Sequence, residues 1–205
     1  YDKGNGVAYY NENATIRNKE NTLRSKIGKY FTEDQRYEFR NSVVLTNPKT
    51  KIVTNHLDFF EASGHSYLFG PSTITSDNNI IYTENGFYDT KLDQGKLIKN
   101  SHILYDNRRI EAEELYYDKN KGYFKGTNHV KVTDTINKIV ATSHLAEVYR
   151  LPAYDSIYMT KRPLIKSLTE KDSAFFHAKK IILTGADKER IIRGYTKARM
   201  FREPD

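Results

Sequence analysis

The sequence predicts an all-β fold built from repeated antiparallel strand pairs. Three observations carry this: an internal period of 29 residues, turn residues that punctuate it twice per period, and apolar–polar alternation between the turns. The first column of the repeat reads apolar, x, small, x, x, Leu, x, aromatic. It is Ile52, Thr54, Leu57 and Phe59 in one copy and Ile110, Ala112, Leu115 and Tyr117 in another. Gly replaces Leu in Leu23, Ser25, Gly28, Tyr30 and in Ile81, Thr83, Gly86, Tyr88. Degraded copies run through Val140, Thr142 and Leu145, and through Phe176, Ala178 and Ile181. Their first positions step by 29, 29, 29, 30 and 36 residues.

A second column follows: Val43/Leu45, Ser72/Ile74, Ser101/Ile103 and Val130/Val132, again 29 apart. Its alternation is that of a half-buried strand. Asn47-Pro48, Asp77-Asn78, Asp106-Asn107 and Asp134-Thr135 precede the first-column strands, and Gly64, Gly95 and Gly122 fill the other gap. Asn, Asp and Gly tolerate left-handed backbone angles, so both sets read as tight turns. Each period is two strands and two turns, which predicts about 12–14 strands and no helix longer than two turns. Short turns favour antiparallel neighbours, with a β-solenoid as the alternative.

Within the first column, Ile52 and Thr54 share one face of a strand. Leu57 and Phe59 then fall on the other, unless a bulge or corner returns all four to one side. The gap recurs in every copy, so the strands are expected to bend and fold the sheet into a V or roll with an apolar inside. Ile52, Ile81 and Ile110 then point inward. Phe59, Tyr88 and Tyr117, with Tyr30 before them, form an aromatic column. The segment Ser173 to Leu183 has helical propensity, but the repeat makes it strand.

The composition fits a thin core. Hydrophobic residues are 38%, with 16 Tyr, no Trp and no Cys. Disulfides, thiolate catalysis and Cys-based zinc sites are excluded. No apolar run is long enough for a helical membrane span, and no leader segment is visible. Net charge is +7, and it sits at one end: residues 161–205 hold 12 basic and 6 acidic residues. No block of five Lys or Arg occurs, so nucleic acid is not an expected partner.

Three phrases then resemble a known family. Phe69-Gly70-Pro71-Ser72-Thr73-Ile74, Glu84-Asn85-Gly86-Phe87-Tyr88-Asp89-Thr90 and Glu113-Glu114-Leu115-Tyr116-Tyr117-Asp118 are similar to the OstA-like proteins of Bacteroidota, within the LptA/OstA lipopolysaccharide-transport family. The likeness spans roughly residues 7–202. It implies an open-ended, twisted β-jelly roll in the periplasm. It also implies an apolar interior for lipid acyl chains and end strands that pair head to tail, with copies of itself or with other transport components. The family favours Ala-Asp-Thr-Leu in the first column. Here Thr54-Asn55-His56-Leu57, Ala112-Glu113-Glu114-Leu115 and Ala178-Lys179-Lys180-Ile181 stand there. The chain is expected to be one domain over 1–205 and a piece of a longer protein.

On this reading the chain binds lipopolysaccharide or a similar glycolipid. Acyl chains would lie against Ile52, Leu57, Phe59, Ile74, Ile81, Ile103, Ile110, Leu115, Tyr117, Val130, Val132, Val140 and Leu145. Arg193, Lys197 and Arg199 would meet anionic headgroups, with Ile191, Tyr195 or Phe201 turned inward. The exposed edges would be Val7–Tyr10 and the strand around Tyr195–Phe201. The rival reading is a structural β-repeat scaffold with a filled core. A third is a carbohydrate-active solenoid using carboxylates such as Glu111, Glu113 and Glu114. No cofactor or metal is expected. The histidines are scattered, with only His56 and His144 in one column and His102 and His129 able to meet across strands. No Gly-x-Ser-x-Gly elbow or phosphate loop occurs, so an enzyme is not expected.

Overall fold

A computed structural model describes residues 4, 6–18, 20–76, 79–105, 107–150, 155–168, 172–185 and 191–204. The predicted turn residues Asp77, Asn78 and Asp106, and Arg190 of the basic segment, lie outside them. The chain divides into two compact units, Tyr1–Lys99 and Asn100–Asp205, and each is described by itself.

Among the described residues the first unit holds β1 (Val7–Tyr10), β2 (Ala14–Asn18), β3 (Asn21–Ser25), β4 (Ile27–Phe31), β5 (Arg36–Thr46), β6 (Thr50–Phe60), β7 (His65–Ser76) and β8 (Asn79–Asp89). The boundary falls in β9 (Gln94–Tyr105). The second unit continues with β10 (Arg108–Asp118), β11 (Tyr123–Asp134), β12 (Ile139–Arg150), β13 (Asp155–Thr160), β14 (Leu164–Leu168), β15 (Asp172–His177), β16 (Lys180–Gly185), β17 (Ile191–Tyr195) and β18 (Arg199–Pro204). No helix occurs among the described residues. The helix-prone stretch from Ser173 to Leu183 is β15 and β16, as the repeat requires.

Eighteen strands exceed the predicted 12–14, and the bend is the reason. β5 to β12 run through it as single strands of 11 or 12 residues. Elsewhere the bend interrupts the ladder, and one bent strand counts twice: β1/β2, β3/β4, β13/β14, β15/β16 and β17/β18. The pairings show it. The first half of β5 pairs with β4 and its second half with β3. The first half of β12 pairs with β14 and its second half with β13. Beyond them β4 pairs β1 and β3 pairs β2, while β13 continues to β16 and β17, and β14 to β15 and β18. All these pairings are antiparallel. Each unit is thus a sheet doubled over into two arms, a jelly-roll arrangement.

The bend itself is a bulge at one level of every strand. Register breaks fall at Arg40/Val43, Val53/His56, Phe69/Ser72, Glu111/Glu114 and Thr127/Val130. Alternate strands turn the corner with left-handed residues: Asn41-Ser42, Gly70, Lys99-Asn100, Asn128-His129, Lys161-Arg162 and Thr196-Lys197. Left-handed backbone costs an ordinary residue about 1–2 kcal/mol, which explains Asn and Gly at four of these places. The intervening strands satisfy the broken ladder with a hydroxyl. Thr54 Oγ1 donates to the His56 carbonyl, Thr83 Oγ1 to Asn85 and Ser143 Oγ to Leu145, at 3.3, 2.7 and 3.1 Å. Thr54 and Ser72 also share a buried hydroxyl contact of 2.7 Å. The small residue of the first column is therefore the one that closes the corner.

The outer turns follow the predicted chemistry with one correction. Gly64 and Gly122 are left-handed, with φ of 78° and 58°. Gly95 is not a turn residue but lies buried in β9. The left-handed position there is Asp93, φ 57°, matching Gln35 at φ 48°. Asp tolerates that conformation through local hydrogen bonding, so the glycine two residues on was the wrong marker.

If the corner sets the fold, its backbone preference is measurable at Asn41, whose side chain is exposed. Asn41→Val is expected to lower unfolding free energy by about 1–2 kcal/mol, and Asn41→Gly to leave it unchanged or raised, in paired denaturant melts.

Candidate functional site

The bend places the inward side chains in rows on the two arms. In the first unit one arm carries Gly28, Phe39, Leu57, Leu68 and Gly86, each directly opposite the next. The other carries Leu23, Leu45, Ile52, Ile74 and Ile81. Leu23, Phe39, Val43, Leu57 and Leu68 form one buried cluster, with Tyr37, Leu45, Ile52 and Ile74 packed against it. The arms therefore close on each other. In the second unit the rows are Leu115, Gly126, Ala146, Met159, Ile181, Gly194 and Ile110, Val132, Ala141, Ile165, Phe176, Met200. Gly194 leaves room for the opposite arm: a Cβ there would stand 2.4 Å from the Phe176 ring.

Most predicted groove residues fall on this inner face. Leu57, Ile103, Leu115, Tyr117, Val130 and Val132 are buried. Ile52, Phe59, Ile74, Ile81 and Ile110 are half-buried. Val140 and Leu145 are corrections. They pair with Thr133 and Thr127 and face outward, while Ala141, Ser143 and Ala146 take the inward positions. The copy in β12 is shifted by one residue because its preceding turn is longer, and a one-residue slip flips every side chain. The aromatic column is also reshaped. Residues 29 apart sit on alternate strands, so contact needs the strand between. Tyr30 stacks on Tyr37 at 4.4 Å and Tyr37 meets Phe59 at 6.2 Å. Ser66 then separates Phe59 from Tyr88.

The inner face of the second unit is not wholly apolar. Arg108 and Asp134 stand directly opposite each other at the lip of one arm, both buried. Arg108 Nε donates to Asp134 Oδ2 at 3.2 Å. Asn107 Nδ2, Asn137 N and Asn137 Nδ2 donate to the same carboxylate at 2.8, 2.9 and 2.9 Å. Burial opposes the Asp134 charge, but the Asn137 and Arg108 donors outweigh it and hold the carboxyl below its ordinary range. A cavity of about 20 Å³ lies beside the pair, between the arms, against Val132, Ile139, Ala141, Ile157, Met159 and Leu183. In the sequence Asp134 reads as a turn residue, and Arg108 does not stand out. The only signal was an Arg at the inward position two residues before Ile110.

The basic trio is not one site. Arg193 faces outward and donates to Thr184 Oγ1 at 2.9 Å. Lys197 sits on a corner, and Arg199 faces outward opposite His177. Ile191, Tyr195 and Phe201 do not turn inward. Ile191 and Tyr195 share the Arg193 face, and Phe201 stacks on Phe175 at 5.0 Å on the outer face. Ile192, Gly194 and Met200 take the inward places, since the register continues from Leu183, Ile181 and Phe176.

His129 contacts Glu113 at 2.5 Å and packs its ring 5.5 Å from His144. Glu111 is paired with Arg109 at 3.0 Å. Among the described residues no group of three His, Asp or Glu is placed to hold a metal ion.

The fold and face thus define a doubled antiparallel sheet with apolar rows inside. Residues 1–55 match the family model described as OstA-like protein, so the OstA-like resemblance read from the sequence holds over that segment. Among solved structures the chain is similar to LptH of Pseudomonas aeruginosa, described as the LptA-homologous periplasmic component of the lipopolysaccharide transport device. Identity is 13%, covering 62% of this chain and 85% of that one, with a TM-score of 0.44. No curated protein matches.

The Asp134 shift has a defined pH signature. A carboxyl held low in the fold adds stability above its unfolded pKa and loses it as pH falls through the folded value. The melting temperature is expected to drop on acidification below about pH 4. In Asp134→Asn that component is expected to vanish, with lower stability at neutral pH, because Arg108 is left buried beside an amide.

Proposed function

We propose that the chain is a periplasmic lipid-carrying module of lipopolysaccharide-transport type, acting over residues 1–205 as one repeat domain. The observation that carries this reading is the pair of apolar rows on facing arms, half-buried toward the lips at Ile52, Ile74, Ile81 and Ile110. The OstA-like match over 1–55 supports it. Acyl chains would part the arms and replace their mutual contacts, each buried CH₂ contributing about 0.8 kcal/mol. No specific polar site is required for that, and the chain works by binding rather than catalysis. Arg199 and Lys197 would meet anionic headgroups at the terminal strands.

Head-to-tail assembly belongs to the same proposal. β1 and β2 end the ladders of the first unit, and β17 and β18 those of the second. Such strands present ladder groups to another chain. They also expose large apolar side chains: Tyr9, Ile16, Ile191 and Met200 are 53, 40, 51 and 64% accessible.

One observation favours the scaffold reading instead. In the second unit the arms pack against each other around a cavity of about 20 Å³. Native mass spectrometry of protein from a Gram-negative host separates the two. Co-purified glycolipid is expected, and its loss in Ile110→Asp but not in the outward-facing Val140→Asp. Protein free of lipid, and unable to take up glycolipid when supplied, would establish the filled scaffold.

A further inference from the structure

We propose that the bend of the second unit is a docking ridge for an anionic phospholipid bilayer. The bends of β12, β13/β14, β15/β16 and β17/β18 lie side by side. His144 N donates to the Lys161 carbonyl and Lys179 N to the Thr196 carbonyl, each at 3.0 Å. Pairing flanks these bonds, with Thr160 opposite Lys180, Lys180 opposite Tyr195, and His177 opposite Arg199. Cations spread over 39 residues of sequence are thereby brought onto one line: Lys161, Arg162, Lys179, Lys180, Lys197 and Arg199. All six are exposed. None makes an ion pair among the described residues, whereas Lys99, Arg108, Arg109 and Lys121 elsewhere in the chain do.

The chemistry selects the partner. The ridge lies on the outside of the bend, where its cationic side chains are exposed. Its cations ride on flexible stems from neighbouring strands about 4.8 Å apart, a spacing suited to many phosphates in a plane rather than to one fixed ligand. The flanks carry outward apolar side chains: Tyr195 and Phe201 are 46 and 53% accessible. A nucleic-acid duplex offers such residues little, because its bases are already stacked on one another and only the charged backbone faces out. A bilayer does, because aromatic side chains enter the headgroup boundary while Lys and Arg stay with the phosphates. The inference goes beyond the lipid-carrying reading, since it concerns the outer surface and holds whatever fills the interior.

The test is co-sedimentation of the chain with sucrose-loaded vesicles of phosphatidylcholine alone, or of phosphatidylcholine with phosphatidylglycerol. Binding is expected only with phosphatidylglycerol, weakening by about tenfold or more as salt rises through the screening range. The triple variant Lys161→Glu, Arg162→Glu, Lys179→Glu is expected to lose at least about tenfold in affinity. A matched triple, Lys29→Glu, Lys51→Glu, Lys131→Glu, makes the same change of net charge at other exposed positions and is expected to stay within about twofold. If the Glu triple misfolds by melting temperature, the Gln triple at the same ridge positions replaces it. Equal losses in both triples would overturn the proposal, since net charge alone would then explain binding. So would absent vesicle binding, or tighter binding to a random DNA duplex at the same salt. Ile110→Asp is expected to keep vesicle binding, so failure here and failure of the groove reading are told apart.

Discussion

The structure depends on a corner placed at one level in every strand. A β-strand alternates its side chains strictly, so a straight strand cannot hold Ile52, Thr54, Leu57 and Phe59 on one face. The bulge resets the alternation and turns the sheet back on itself. At each break one strand carries one residue more than its neighbour, and the hydroxyls of Thr54, Thr83 and Ser143 bond the backbone there. An unsatisfied buried backbone group costs roughly 1–3 kcal/mol, so the hydroxyls stabilise the corner more than their size suggests. Where the column has Ala112 or Ala178 in place of a hydroxyl, the chain keeps a small side chain at the vertex, and both are buried.

The same corner generates two surfaces of opposite character. Inside, it brings apolar rows together and leaves their outer members half-buried. Outside, it lines up whatever residues stand at the turn. In the first unit these include Asn41, His56 and Phe69. In the second they become cationic from Lys161 onward, and six of the last segment's twelve basic residues stand along the line.

The Arg108–Asp134 pair is the exception to the apolar interior. A buried ion pair rarely repays the loss of water, and apolar residues of similar size would often be at least as stable. Here three amide donors complete the carboxylate's shell, which limits that cost. The pair also joins the start of β10 to the end of β11 at the lip of an arm and so holds that turn against the cavity. Its counterparts at other turns, Asp89 and Asp118, are buried too and likewise accept backbone N–H groups of their own turns, but their charged partners, His65 and Lys121, are far more exposed than Arg108.

The sequence by itself determined the strand content, the 29-residue period, the inward columns and the existence of the bend, because side-chain periodicity is a local consequence of backbone geometry. It determined the strand nature of Ser173 to Leu183 against helical propensity for the same reason. Only the tertiary structure decided the rest. The shift that turns Val140 and Leu145 outward arises in a turn whose length no pattern encodes. The left-handed corners at Lys99, Lys161 and Thr196 use residues with no such preference, so neighbouring strands impose them. Arg108 met Asp134, and Lys161 came beside Lys179 and Lys197, through pairings between distant segments. Such contacts follow from which strands lie side by side, and composition and spacing along one chain do not specify that.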